Sequence, residues 1–110
     1  MSYYSKNKLV DDNKNTAWKL ALDLVPREST VFDVGCSVGT FGQELIQRRG
    51  CTVDGIEPDI SDAQKAKTKL RKVEAITAED KRLFELFPDK YDVISFIDVI
   101  EHLANPVETL

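Results

Sequence analysis

Histidine, cysteine, long apolar runs and excess positive charge are all scarce in this chain, and each scarcity removes a class of function. One histidine, His102, stands among 110 residues. A metal centre built from several imidazoles is therefore excluded, and histidine-based proton transfer has a single candidate. Two cysteines, Cys36 and Cys51, make neither a disulfide framework nor a metal knuckle. Both read as buried small hydrophobes in a reducing compartment, since no basic neighbour in the local sequence would lower either thiol's pKa. No apolar run approaches the roughly 20 residues that span a bilayer, and no charged-then-apolar leader opens the chain. A cytoplasmic location is expected. Lys plus Arg number 15 against 19 Asp plus Glu, a net charge of -4. Such a surface repels phosphate backbones and anionic lipid, so neither nucleic acid nor membrane is the expected main partner. A local basic patch stays open.

What is present is the composition of one small globular domain, 42% apolar and 31% charged. Met1 to Val10 is polar and reads as an arm with a Tyr3-Tyr4 pair. Asp12 or Asn13 can cap a helix whose apolar face carries Ala17, Trp18, Ala21, Leu22 and Val25, closed by Pro26. Thr30 to Val34 is a β-branched run suited to a buried strand. Gly35 to Gly39 is a turn, and Phe41, Leu45 and Ile46 have helical spacing up to Arg48-Arg49-Gly50. The beat recurs. Cys51 to Ile56 reads as a strand, and Ser61-Asp62-Ala63-Gln64 as a capping box before an inward face of Ala63, Ala66 and Leu70. Val73 to Thr77 is a third strand, Asp80 to Phe87 a short helix stopped by Pro88, and Tyr91 to Ile97 a fourth strand. Asn105-Pro106 opens a helix that the chain does not finish.

This alternation predicts an α/β fold, a doubly wound parallel sheet in the order 3-2-1-4. Residues 1–29 form an arm and helix ahead of a ligand-binding unit over 30–110. The ligand is expected beyond the carboxyl end of the first strand, where the strand order reverses. There Asp33-Val34-Gly35-Cys36-Ser37-Val38-Gly39 joins a strand to a helix through glycines, so that a ligand can approach backbone closely. Glu57 follows at the end of the next strand, placed to accept hydrogen bonds from ribose hydroxyls. In register within consecutive units, the two point to a ribose-containing cofactor.

With Gly55-Ile56-Glu57-Pro58-Asp59, Tyr91-Asp92-Val93-Ile94 and Asp98-Val99-Ile100-Glu101-His102-Leu103, these residues resemble the class I S-adenosylmethionine-dependent methyltransferases. The likeness runs from about Val31 to Leu110 and is strongest to a small bacterial branch with Asp-Val-(Ile/Leu)-Glu-His after the fourth strand. The resemblance implies a Rossmann-like fold, S-adenosyl-L-methionine as cofactor and a small-molecule methyl acceptor. It places Asp33, Gly35, Cys36, Ser37 and Gly39 around the methionine half of the cofactor. Glu57 would hold the ribose hydroxyls and Pro58 would lie beside the adenine. Glu79 and Asp80 would meet the adenine edge, with Phe96 and Ile97 on the sulfonium side. Methyl transfer from a sulfonium needs alignment and desolvation more than a resident base, so a histidine-poor chain suits it. The sequence departs from the family at Ser37, a position more often Gly, and in lacking the last three strands.

Other readings compete. Gly35-Cys36-Ser37-Val38-Gly39 also spells a G-x-S-x-G nucleophile elbow, with Asp92 or Asp98 and His102 in hydrolase order, yet only one strand precedes it. Gly35, Gly39 and Gly42 resemble a dinucleotide turn with Ser37 where its second glycine belongs. A non-catalytic cofactor-binding or interaction fragment is a further alternative. Asp98, Glu101 and His102 could gather on one helical face around Mg²⁺; local packing of His102 is the plainer expectation, and no metal site is assigned. Trp18 is expected in the core, and the run from Lys65 to Lys72 on the solvated face of a helix. The fourth strand is expected to expose one backbone edge through which copies of the chain pair.

Overall fold

The computed structural model describes residues 18–96. Strand and helix alternate through β1 (Thr30–Val34), α2 (Thr40–Arg49), β2 (Thr52–Ile56), α3 (Ile60–Lys67), β3 (Lys72–Glu74), α4 (Leu83–Leu86) and β4 (Val93–Ser95). An N-terminal helix, α1, is helical over residues 18–24. The four strands are parallel in the order β3-β2-β1-β4, as the alternation predicts. β1 lies at the centre of the register: Val31 pairs with Val53 and Val93, and Asp33 with Gly55 and Ser95.

Alternation along each strand sends side chains to two different layers. Val31, Val53 and Val73 pack with Leu22, Phe41, Leu45, Ala63, Ala66 and Leu70 beneath α1, α2 and α3. Trp18 joins this layer, half-buried, its ring edge-on to Phe41 with centroids 5.6 Å apart. The other face carries Phe32 and Ile56, covered by Ile76, Phe87 and Tyr91. α2 lies so close to the sheet that a Cβ on Gly42 would stand 2.6 Å from Leu70 Cδ2 and 3.0 Å from Val53 Cγ1. Cys36 and Cys51 are buried among the apolar residues, as expected.

Several boundaries differ from expectation. α3 begins at Ile60, capped by Asp59, whose Oδ1 accepts from the Asp62 N–H at 3.0 Å. The cap is thus two residues earlier than Ser61, because a carboxylate reaches the third N–H of the first turn from there. β3 stops at Glu74 rather than Thr77: Ile76 turns under the sheet to pack with Phe32 and Phe87. β4 covers only Val93–Ser95 because it pairs with β1 alone among the described residues. Asp92, just ahead of it, clamps the start of β1 by accepting from the Thr30 N–H (2.9 Å) and hydroxyl (3.0 Å). These bonds hold the Asp92 carboxyl below its ordinary pKa. They also place it at the amino end of the sheet, away from Ser37, which removes it as a hydrolase partner. Asp98, Glu101, His102, the Tyr3-Tyr4 arm and the Asp12 or Asn13 cap lie outside the described residues.

The basic run is not wholly a solvated helix face. α3 ends at Lys67, and Arg71 reaches back to Asp54, a buried carboxylate in the middle of β2. Arg71 donates through Nε at 2.9 Å and Nη2 at 2.7 Å, and the Tyr91 hydroxyl donates at 2.6 Å. Burial alone would raise the Asp54 pKa. The two hydrogen-bond partners and the charges of Arg71 and Lys72 outweigh it and hold the carboxyl below its ordinary 3.8. Burial and the same carboxylate push Tyr91 up. The cluster ties β2 to the entries of β3 and β4. Among the described residues no helix is long and apolar enough to cross a membrane.

Candidate functional site

The site is built where β1 ends and the chain must turn sharply into α2. Gly35, Ser37 and Gly39 all take left-handed backbone, with φ of 74°, 54° and 88°. Glycine adopts this region freely, whereas a residue with a Cβ pays roughly 1–2 kcal/mol there. Ser37 is therefore a strained residue in a glycine position, which gives physical content to its departure from the family pattern. The turn folds back onto β2: the N–H groups of Gly35 and Cys36 both donate to the Ile56 carbonyl, at 3.0 and 2.9 Å. Cys36 then rests on Gly55, where a Cβ would come within 2.9 Å of the cysteine Cβ and Sγ.

Glu57 holds this turn from the other side. Its Oε1 accepts from the Ser37 N–H at 2.9 Å and its Oε2 from the Asp59 N–H at 2.9 Å. A carboxylate has about four lone-pair sites, so two acceptor positions are left for a ligand. The Glu57 N–H is itself anchored on the Glu74 carbonyl at 3.1 Å, which fixes the residue at the carboxyl edge of the sheet. Asp33 is buried at the end of β1, 1% exposed, and accepts from Ser95 Oγ at 2.8 Å. Its register partners on the two sides, Gly55 and Ser95, are both small.

Of the residues expected from sequence, the structure brings Asp33, Gly35, Cys36, Ser37, Gly39 and Glu57 together around one turn, with Pro58 exposed beside them. Glu79 is exposed on the loop after β3. Asp80 opens the turn before α4, and its carboxylate accepts from the Arg82 backbone and guanidinium at 2.8–3.1 Å, holding its pKa low. The Phe96 side chain lines an apolar groove with Phe32, Val34 and Ile94, on the face opposite Asp33. Ile97 lies outside the described residues. Sequence reading missed Gly55 and Ser95. The signal for both was parity: in the order 2-1-4 they fall beside Asp33 on one face, and Ser95 is the lone polar residue between Ile94 and Phe96.

A family model described as a methyltransferase domain matches residues 7–110. The chain belongs to the methyltransferase domain family. Among curated relatives, this methyltransferase domain is 37% identical over 84 residues to a ubiquinone biosynthesis O-methyltransferase of Pseudomonas savastanoi pv. phaseolicola, an alignment covering 69% of this chain and 34% of the relative. It is 32% identical over 87 residues to the enzyme of the same description from Pseudomonas paraeruginosa, covering 74% and 36%. The chain thus spans about a third of the length of the curated relatives it matches. Its fold is that of the cyclopropane synthase MmaA2 from Mycobacterium tuberculosis, with TM-score 0.56 and 20% identity over 72% of this chain and 29% of that one. The methyltransferase domain therefore has the Rossmann-like fold expected of it.

Proposed function

We propose that this chain is the S-adenosylmethionine-binding part of a methyltransferase acting on a small molecule, with a hydroxyl acceptor as the O-methyltransferase relatives suggest. One observation carries the reading: the Glu57 carboxylate, braced by two backbone N–H groups beside the left-handed turn and keeping acceptor capacity toward it. The donor set suits this cofactor. Residues 33–40 and 55–59 contain Asp33, Glu57 and Asp59 but no Lys or Arg, which fits an ammonium and a diol and has nothing to neutralise a pyrophosphate.

When bound, the cofactor supplies an activated methyl carbon on a sulfonium. Asp33 would hold its ammonium group, oriented by Ser95. Gly35, Cys36, Ser37 and Gly39 would shape the bed for its methionine half, and Glu57 would accept from both ribose hydroxyls. Pro58 would border the adenine, and Glu79, the acid not engaged by arginine, would meet its edge. Phe96 would border the sulfonium side through its backbone, followed by Ile97. No proton need be held by these residues unless the acceptor arrives protonated, and a base would then come from elsewhere in the protein.

We also propose a cytoplasmic location, supported by two buried thiols that form no disulfide, and pairing of copies through β4, supported by its pairing with β1 alone among the described residues and by Ile94 and Phe96, 59% and 46% exposed. Titration calorimetry with S-adenosylhomocysteine and NADH tests the cofactor. Binding of the first and not the second is expected, and tighter binding of NADH would overturn the proposal.

A further inference from the structure

The end of the sheet opposite the turn carries a second concavity with different chemistry. It lies beneath the amino ends of β1 and β2, has a volume of about 330 Å³, and is lined among the described residues by Lys19, Leu22, Asp23, Arg27, Arg48 and Arg49. Four cations thus face one carboxylate, in a chain whose net charge is -4. They come from three separate segments: α1, the turn after it and the last turn of α2. Cations at a helix C-terminus offset its dipole, which accounts for Arg48 and Arg49. Arg27 adds a third cation at that helix end and Lys19 a fourth that the dipole does not account for, and their approach to two arginines costs repulsion that an anion relieves.

The three arginines are also held in place. Arg49 Nε donates to the Val25 carbonyl at 2.7 Å, and Arg27 Nη1 to the Arg48 carbonyl at 3.3 Å. The Glu28 N–H donates to the Arg49 carbonyl at 2.9 Å, with Glu28 in left-handed backbone, so the turn bearing Arg27 is pinned to the end of α2. Arg48 pairs with Glu44 through Nε. Arg48 and Arg49 engage only Nε in these contacts and keep both terminal nitrogens for a ligand, while Arg27, bonded through Nη1, keeps Nη2 and the second Nη1 hydrogen. Forked donors match phosphate oxygens in pairs.

We propose that this pocket binds an anion carrying two or more phosphate groups, at a site separate from the one around Glu57. Such phosphates come from two sources, a soluble polyphosphate or lipid headgroups. Leu20 and Leu24, 57% and 78% exposed on α1, would add apolar contact in the second case.

Calorimetry of the chain with sodium tripolyphosphate, and co-sedimentation with phosphatidylglycerol against phosphatidylcholine vesicles, test the site and separate the sources. Binding to either probe should weaken as salt is added. Lys19→Gln with Arg27→Gln should weaken it roughly tenfold, at threefold to fivefold for each cation. Asp23→Asn should tighten it roughly threefold, a gain that misfolding cannot imitate. Tripolyphosphate binding that follows this order assigns a soluble ligand; binding to phosphatidylglycerol vesicles alone, in the same order, assigns headgroups. No binding to either probe, or binding that ignores all three substitutions, overturns the proposal.

Discussion

Replacing Glu57 by glutamine exchanges one oxygen for nitrogen and should separate the two tasks of this side chain. Both carboxylate oxygens now accept backbone N–H groups at 2.9 Å, one from Ser37 in the turn and one from Asp59 at the start of α3. Glutamine keeps one acceptor, and its amide nitrogen then faces a donor with a donor. One brace is lost. A hydrogen bond to a charged group contributes about 1.5–3 kcal/mol, so the same substitution should weaken S-adenosylhomocysteine binding by roughly 10-fold to 150-fold. Glu57→Ala removes both braces and should lose at least as much. Calorimetry on the three proteins measures this, and an analogue lacking both ribose hydroxyls separates the causes. If Glu57 holds the ribose, the analogue binds all three proteins within about threefold. If Glu57 only braces the turn, the analogue loses as much affinity as the parent ligand. Unchanged binding of S-adenosylhomocysteine to both variants would remove Glu57 from the site.

Ser95→Ala removes the hydroxyl that donates to Asp33 and should weaken S-adenosylhomocysteine binding, with Ser95→Thr restoring most of it in the same titration. Arg71→Met strips Asp54 of its bidentate partner. Breaking a buried pair costs about 3–5 kcal/mol, reduced here to about 2 kcal/mol because Arg71 is 47% exposed, and urea unfolding at neutral pH measures it. Because the folded Asp54 pKa is depressed, its contribution is present above the ordinary 3.8 and is lost as the pH falls through the folded value. The wild-type protein should therefore destabilise more steeply below that pH than Arg71→Met. Gly42→Ala should cost about 1–3 kcal/mol by overpacking against Leu70 and Val53, and Leu70→Ala in the same chain should relieve part of it in thermal melts. Sedimentation across a concentration series should show dimers, and Ile94→Lys should abolish them; a monomer at every concentration would refute pairing through β4.

The sheet order and the Gly35–Gly39 turn were legible because both follow from local signals, hydrophobic period and glycine spacing, combined with the handedness of crossovers. What escaped were several features set by side-chain contact between distant segments. Asp54 looks like an interruption in an apolar strand until Arg71 and Tyr91 arrive from later segments to satisfy it. Ser95 acquires its role only when β4 takes its register beside β1. The ends of β3 and β4 depend on which neighbour is present to accept their hydrogen bonds, and residue pattern does not encode that. The cations of the amino-end pocket are spread from Lys19 to Arg49 and have no motif at all.

Asp33 and Ser95 are 62 residues apart, and the Asp92 clamp on Thr30 spans the same interval. β1 and β2 meet across only 22 residues. Closing the longer loop costs about 0.9 kcal/mol more in chain entropy, from the logarithmic dependence on loop length. That difference predicts that these contacts form after the local β1-α2-β2-α3-β3 half. The wall of the pocket that β4 supplies is then predicted to open before the rest of the sheet. Native-state hydrogen exchange should find the amides of Asp92 and Ser95 protected less than those of Val31 and Val53. A ligand held by Asp33 would also draw on the Ser95 hydroxyl that orients that carboxylate, so occupancy of the site should raise the protection of the β4 amides.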